Sequence, residues 1–221
     1  MPKENSEHMV DIQYRSSERG IIGNGSNPEA RFIENREQLI EKIEALRTLN
    51  QKIVLTSGTF DLLHIGHAKY LEVAKSYGDI LVVGVDSDKK VRERKGPDRP
   101  VVPESERINM LAHLRSVDII TLKQPNEPHW DLIKRIKPDT LIITEETYDD
   151  DTKKELENIC GQVVCLEPQA TTSTSAKIRR LQIGWTKKIE QPIMDQLLKH
   201  KASPELIQKI GQIIMSRKDE K

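Results

Sequence analysis

Five short runs constrain the fold of this 221-residue chain most: IVLTSG from residue 53, ILVVGV from 80, VDIITL from 117, TLIIT from 140 and QVVCL from 162. Each is dense in Val, Ile and Leu and shows no alternation of apolar with polar residues, the pattern of a strand covered on both faces. Between them lie segments of helical period, near 65–77, 104–115, 128–136 and 150–160, with another near 173–182. Strands and helices taking turns imply right-handed crossovers. The expected fold is α/β, a Rossmann-like doubly wound parallel sheet of about five strands. Ligands of such sheets bind at the carboxyl ends of the strands, where the connections diverge.

The flanks are different. Residues 1–30 mix polar, Gly and Asn residues without a period and read as a disordered arm. ENREQLIEKIEALRTLN then places Leu39, Ile40, Ile43, Leu46 and Leu49 on one helical stripe with Asn35 as its cap. The expected domain runs over 31–183 and includes this helix. Residues 184–221 form a helical extension, where IMDQLLKH and SPELIQKIGQIIM carry apolar faces for the domain or a second subunit to cover.

Composition removes several function classes. Lys plus Arg and Asp plus Glu balance at 35 each, so no basic excess marks a nucleic-acid binder, and aromatics at 4% supply no stacking platforms for bases. No apolar run reaches the length of a membrane span, and the first residues lack the apolar core of a secretory signal. The cytoplasm is the expected compartment. Cys160 and Cys165 have no clustered His or second Cys pair beside them and read as small buried residues.

The first strand ends in SGTFDLLHIGH, residues 57–67. Gly58 can make a tight strand-to-helix turn and lets a phosphate approach. The helix that follows begins with free amides and a partial positive charge. His64 and His67, three apart, share a face of its first turn, with Gly66 keeping the ground between them open. Two imidazoles there can donate to phosphate oxygens and, when protonated, oppose the charge of a transferring phosphoryl group. Two other readings remain open at this point. One His can cap the helix while the other fills space, or the pair can chelate a metal, although no third ligand follows and Asp61 would need to fold back.

GTFDLLHIGH resembles the signature of the cytidylyltransferase-like nucleotidylyltransferases, and the resemblance extends over roughly residues 35–183. Within the family the chain is most similar to the adenylyltransferase domains of bacterial ADP-heptose synthases. Between Lys95 and Asp118 the pairs Lys-Gly and Arg-Pro, then Glu-x-Arg and Val-Asp, fall in the family's order. The resemblance implies in-line attack by a phosphate oxygen of a small phosphorylated substrate on the α-phosphorus of a nucleoside triphosphate, with pyrophosphate leaving. No enzyme nucleophile is needed, so catalysis is positioning and charge stabilisation. It implies that His64 and His67 hold the α-phosphate and that Mg2+ bridges the triphosphate oxygens, without a protein side chain assigned to the metal. Further cations follow. Lys75, eleven residues past His64, lies on the same helical face and is expected to lean back toward the phosphates. Lys95 stands in the loop RERKGPDRPV, where it can close over pyrophosphate, and Arg107 matches the family's phosphate-contacting arginine by position, a structural ion pair being the alternative. Thr59 and Phe60 belong to the nucleotide-binding turn with Gly58. Asp61 ties that turn to neighbouring backbone, and Asp86 lies near the ribose or base pocket or caps a loop. Ser173, Thr174 or Ser175, in TTSTSAKIRR, cap the last helix with its amides facing the triphosphate. Relatives commonly pair as dimers, which suits the apolar C-terminal helices.

The chain departs from the pattern in two places. LIITEETYDDD stands where heptose-type enzymes carry Gly-Gly-Asp-Tyr, and EPQATTSTS lacks the arginine that glycerol-phosphate and phosphocholine cytidylyltransferases place before the Ser-Thr signature. The missing arginine, with the KGPDRPV loop that resembles that of heptose-type enzymes, favours ATP over CTP. The expected function is transfer of a nucleoside monophosphate, AMP first, to a sugar phosphate such as heptose 1-phosphate. A cytidylyltransferase for a polyol or amino-alcohol phosphate and a nucleotide-binding protein without turnover are the alternatives.

Overall fold

In the computed structural model the described residues are 27–144, 150–167, 192–193, 195–200, 203–206 and 208–210. Five parallel strands form one sheet: β1 (Ile53–Gly58), β2 (Ile80–Asp86), β3 (Ile119–Lys123), β4 (Thr140–Ile143) and β5 (Gln162–Cys165), in the order β3-β2-β1-β4-β5. The α/β doubly wound sheet expected from the apolar runs is therefore present. The helices are α1 (Arg36–Thr48), α2 (Ile65–Lys75), α3 (Asp88–Lys95), α4 (Glu104–Ala112), α5 (Asp131–Ile136) and α6 (Asp150–Glu157).

The order explains why the strands are apolar throughout. β2 is buried at every residue, and successive residues serve opposite cores. Ile53, Leu55, Ile80 and Val82 pack with Leu39 and Ile43 of α1, with α5 and with Leu156 of α6. Val54, Leu81, Val83 and Val85 pack on the other face with Leu71 and Ala74 of α2 and Ile108 and Leu111 of α4. Each fully buried Leu or Ile contributes about 1.5–3 kcal/mol. The chain moves from β1 outward to β3 with helices on one face, then returns to β4 and β5 with helices on the other. The reversal lies between β1 and β4, so the carboxyl end of β1 borders the switch point.

Some boundaries differ from those expected. Asn35 caps α1 through its side chain, accepting from the Gln38 amide at 3.0 Å. Leu39, Ile43 and Leu46 are buried, but Leu49 lies past the last turn and is 68% exposed. The stretch read as a loop after β2 contains α3, capped by Ser87 Oγ to the Lys90 amide at 3.2 Å. Its charged sequence, with Val91 its one buried residue, hid it from a reading by apolar period. Residues assigned to the arm also join the fold, since Pro28–Arg31 form a 3-10 turn. Beyond it the Ile33 amide bonds Ile120 O at 2.8 Å and Phe32 bridges Ile120, which covers the β3 edge.

By compactness the chain divides into Met1–Gln169 and Ala170–Lys221, whereas the sequence reading put the boundary at 183/184. In the second unit the described Ile193, Leu198 and Leu206 are exposed. Among the described residues no helix is long and apolar enough to cross a membrane.

Candidate active site

The turn between β1 and α2 is strained at two residues without being strained at its glycine. Phe60 and Leu62 take φ of 52° and 47°, while Gly58 does not have positive φ. Left-handed backbone at a non-glycine costs on the order of 1 kcal/mol each, a cost that clusters at functional sites. The special turn conformation expected of Gly58 is thus corrected: what its missing side chain supplies is space. A Cβ there would stand 3.1 Å from Cε2 and 3.2 Å from Cζ of Phe60. Phe60 is buried and meets His67 edge-on, with centroids 5.6 Å apart.

His64 and His67 come together. Their rings stack at 4.0 Å with 27° between planes, both half-buried on the first turn of α2. His64 is also the helix cap, its Nδ1 accepting from the Gly66 amide at 3.0 Å. The capping and phosphate readings are therefore compatible, because a neutral imidazole that accepts at Nδ1 carries its proton on Nε2. The unsatisfied amides expected at the head of α2 are corrected. Those of His67 and Ala68 bond to His64 O at 2.9 and 3.2 Å, and Gly66 bonds to the ring. The positive end of the helix dipole remains.

Two buried carboxylates organise the cations around this turn. Asp61, 3% exposed, accepts from the amides of Val101 and Val102 at 3.1 and 3.0 Å and pairs with Arg99 at 2.9 Å. It ties the turn to backbone, as the sequence suggested. Asp86, at the carboxyl end of β2, pairs with Arg94 at 2.9 Å and lies 3.7 Å from Lys123. Arg94 donates to Thr59 Oγ1 at 2.8 Å as well. Lys95 ends α3 with an exposed side chain that makes no hydrogen bond or ion pair among the described residues. Neighbouring protein nonetheless crowds its ammonium. Desolvation first, then repulsion from Arg94 and Arg99, holds its pKa below the ordinary lysine value against the pull of Asp86 and Asp61.

Arg107 and Lys75 are corrections. Arg107 is 1% exposed and its guanidinium is consumed by protein: Nε donates to Val102 O at 3.0 Å, Nη1 to Thr59 O, and Nη2 to Asp86 O at 2.9 Å and Asp88 Oδ1 at 2.7 Å. It locks together the turns after β1 and β2 and the loop before α4, which is the ion-pair alternative. Lys75 lies at the far end of α2, where it pairs with Asp118 and donates to Asp79 O at the amino edge of the sheet. Eleven residues preserve the helical face but add about 16 Å of rise, so it is not brought to the histidines. Sequence reasoning missed Arg94, Arg99 and Lys123. The first two had a signal, the cation density of RERKGPDR. Ser173, Thr174 and Ser175, and the TEETY segment, lie outside the described residues.

The family model described as cytidylyltransferase-like matches residues 55–193, which contain the histidine turn and the basic loop. The chain belongs to the cytidylyltransferase-like family. Membership places it among nucleotidyltransferases. Curated relatives named bifunctional protein HldE include one from Methylobacillus flagellatus, 36% identical over 174 residues, covering 78% of this chain and 36% of that protein. Another, from Sulfurimonas denitrificans, is 47% identical over 106 residues, covering 46% of this chain and 22% of its own. The chain thus spans well under half the length of these relatives. A solved lipopolysaccharide core biosynthesis protein from Thermoplasma volcanium is similar at a TM-score of 0.47 and 27% identity, covering 52% of this chain and 96% of that one.

In this cytidylyltransferase-like domain the described residues suit an anion better than a metal. No group of three His, Cys, Asp or Glu gathers among them, and Asp61 and Asp86 already accept from arginines. Cys160 is buried and burial pushes its thiol up to about 11, which makes it inert. The stacked imidazoles at a helix head, with basic side chains on α3 and its following loop, can bind phosphate oxygens and stabilise charge developing on them.

Proposed function

We propose that the domain transfers a nucleoside monophosphate, AMP from ATP, to the phosphate of a small sugar phosphate of the heptose 1-phosphate type and releases pyrophosphate. The observation that carries this reading is the stacked His64–His67 pair at the carboxyl end of β1, beside the reversal of strand order. The relatives named HldE and the resemblance of the KGPDRPV loop to heptose-type enzymes favour ATP and a sugar phosphate.

An acceptor phosphate oxygen attacks the α-phosphorus as the bond to the pyrophosphate oxygen breaks, so the electron pair leaves with pyrophosphate. His64 and His67 donate to the α-phosphate oxygens and oppose their growing charge. Lys95, a cation with no acceptor of its own among the described residues, receives the departing pyrophosphate. Asp61 and Arg107 touch no substrate and fix the loops that carry these groups. Gly58, Thr59 and Phe60 shape the turn, and Ser173 to Ser175 are assigned to the triphosphate on the resemblance. Mg2+ would accompany the nucleotide and would supply charge neutralisation at its phosphates, with no described side chain assigned to hold it.

The test is pyrophosphate release across the four nucleoside triphosphates and a panel of sugar and alcohol phosphates. ATP with a sugar 1-phosphate should give the highest kcat/KM. Turnover confined to CTP with an alcohol phosphate would replace the substrate assignment, and binding without turnover on any pair would refute catalysis.

A further inference from the structure

Lys123 has a setting that a structural ion pair does not need. It is the last residue of β3, opposite Asp86 in the β2 register, and its side chain is 20% exposed. Its stem lies over Gly84. A Cβ on that glycine would come within 2.9 Å of Lys123 Cδ, 2.8 Å of Ser57 Oγ and 2.7 Å of Leu132 Cδ2. A bare residue in the middle of a fully buried strand therefore makes the bed in which a lysine from the neighbouring strand reaches back over β2 toward β1.

The charges that face this ammonium are Asp86, Glu127, Lys90 and Arg94. Both carboxylates are engaged more closely elsewhere, Asp86 with Arg94 at 2.9 Å and Glu127 with Arg36 at 2.6 Å. Lys90 donates to Gln124 O at 3.3 Å. The Lys123 carbonyl accepts from the Ser87 amide at 3.0 Å, but its ammonium is left 3.7 Å from Asp86, beyond hydrogen-bond reach, and donates no hydrogen bond among the described residues. Burial, then repulsion from Lys90 and Arg94, lowers its pKa against the opposing pull of Asp86 and Glu127. A largely buried cation whose neighbouring acids already hold arginines is unfavourable for folding and favourable for capturing an anion.

We propose that Lys123 receives the phosphate of the second substrate, the phosphomonoester whose oxygen attacks the nucleotide, with Gly84 providing the space for its stem. This rests on the nucleotidyl-transfer reading. The choice of the acceptor over the triphosphate follows from the two sides of the sheet edge. Lys95 ends α3 and leads into the loop whose Arg99 pairs at 2.9 Å with Asp61 of the histidine turn, whereas Lys123 ends β3 beside Gln124, whose carbonyl accepts from Lys90 at 3.3 Å, and the Asp86–Arg94 pair, 2.9 Å apart, joins the end of β2 to α3. In-line displacement places nucleophile and leaving group on opposite sides of the phosphorus, which a cation on either side of the Asp86–Arg94 pair accommodates.

The full chain is titrated calorimetrically with inorganic phosphate and glucose 1-phosphate, and separately with ATP and CTP, as wild type, Lys123→Met and Lys123→Arg, with melting temperatures recorded. Lys123→Met should weaken both monophosphate probes at least tenfold, leave ATP affinity within twofold, and leave the melting temperature unchanged or raised. Lys123→Arg should recover most of the monophosphate affinity. A wild type that binds neither monophosphate overturns the proposal. So does a Lys123→Met chain that binds them normally, loses ATP in equal measure, or melts earlier with unchanged phosphate affinity. Failure of wild type to bind ATP or CTP would instead sink nucleotidyl transfer, and the monophosphate arm would still decide whether Lys123 is an anion receptor.

Discussion

Arg107 is the residue on which the neighbourhood of the site turns, although it faces no solvent. Its four acceptors belong to the turns after β1 and β2, to the first turn of α3 and to the loop before α4. Replacing it by Met leaves Asp88 and three carbonyl groups without their donor, so Arg107→Met should lower unfolding free energy in urea by about 3 kcal/mol or more. A loss below about 1 kcal/mol would contradict the locking role. Its place as keystone was not legible in the sequence, because an arginine's fork serves carbonyls, carboxylates and phosphates alike and only tertiary geometry chooses. The remoteness of Lys75 from the histidines was legible in the sequence, since helical rise separates residues that share a face. The histidine pair and the tether at Asp61 were legible because their meaning is local, carried by spacing of three and by adjacency to a strand end.

Among the elements, the β1–α2 turn does the most with the least. Gly58, Phe60 and His67 form a contact chain in which the glycine admits the aromatic ring and the ring meets the imidazole edge-on and braces it. Gly58→Ala puts a methyl group 3.1 Å from Phe60 and must displace the ring or the strand end. The required shift is a few tenths of an ångström, so pyrophosphate release should fall roughly threefold or more as the imidazole loses its register with the phosphate. Unaltered release in Gly58→Ala would show that the brace is unnecessary. The strands were readable at this scale because burial on both faces demands unbroken Val, Ile and Leu. α3 was not, because DKKVRERK buries one residue and is held by its Ser87 cap, by Arg94 pairing with Asp86 and by the i,i+4 pair Asp88–Arg92, none of which leaves an apolar period. The strap over the β3 edge was equally hidden, since Arg31 draws it in by donating to Ala112 O, Leu114 O and Val117 O, far off in sequence.

For the molecule as a whole, the two halves of the sheet are joined at the amino edge as well as along β1. Asp139, just before β4, accepts from the Ile53 amide at 2.9 Å and pairs with Lys52 at 3.1 Å. Burial pushes its pKa up, but the Ile53 and Lys52 hydrogen bonds and the charges of Lys52 and Arg47 outweigh it and hold the group below the usual carboxylate value. A depressed folded pKa stabilises fully above the unfolded value of about 3.9 and is lost as pH falls through the folded one. Asp139→Asn should therefore reduce stability at neutral pH and flatten its decline below about pH 4, read from urea midpoints against pH. An unchanged acid limb would remove Asp139 from that role. At this scale the doubly wound class was legible, while strand order was not, because nothing in the strands' composition says which neighbours pair. The central claim is that His64 and His67 together grip the α-phosphate, and imidazole nitrogen resonances recorded during an ATP titration test it most directly. Both rings should shift and saturate in step with binding, and His67→Ala and His64→Asn, the latter keeping a cap, should each cut turnover by about a hundredfold. ATP binding with both imidazole signals unmoved and both variants fully active would contradict it.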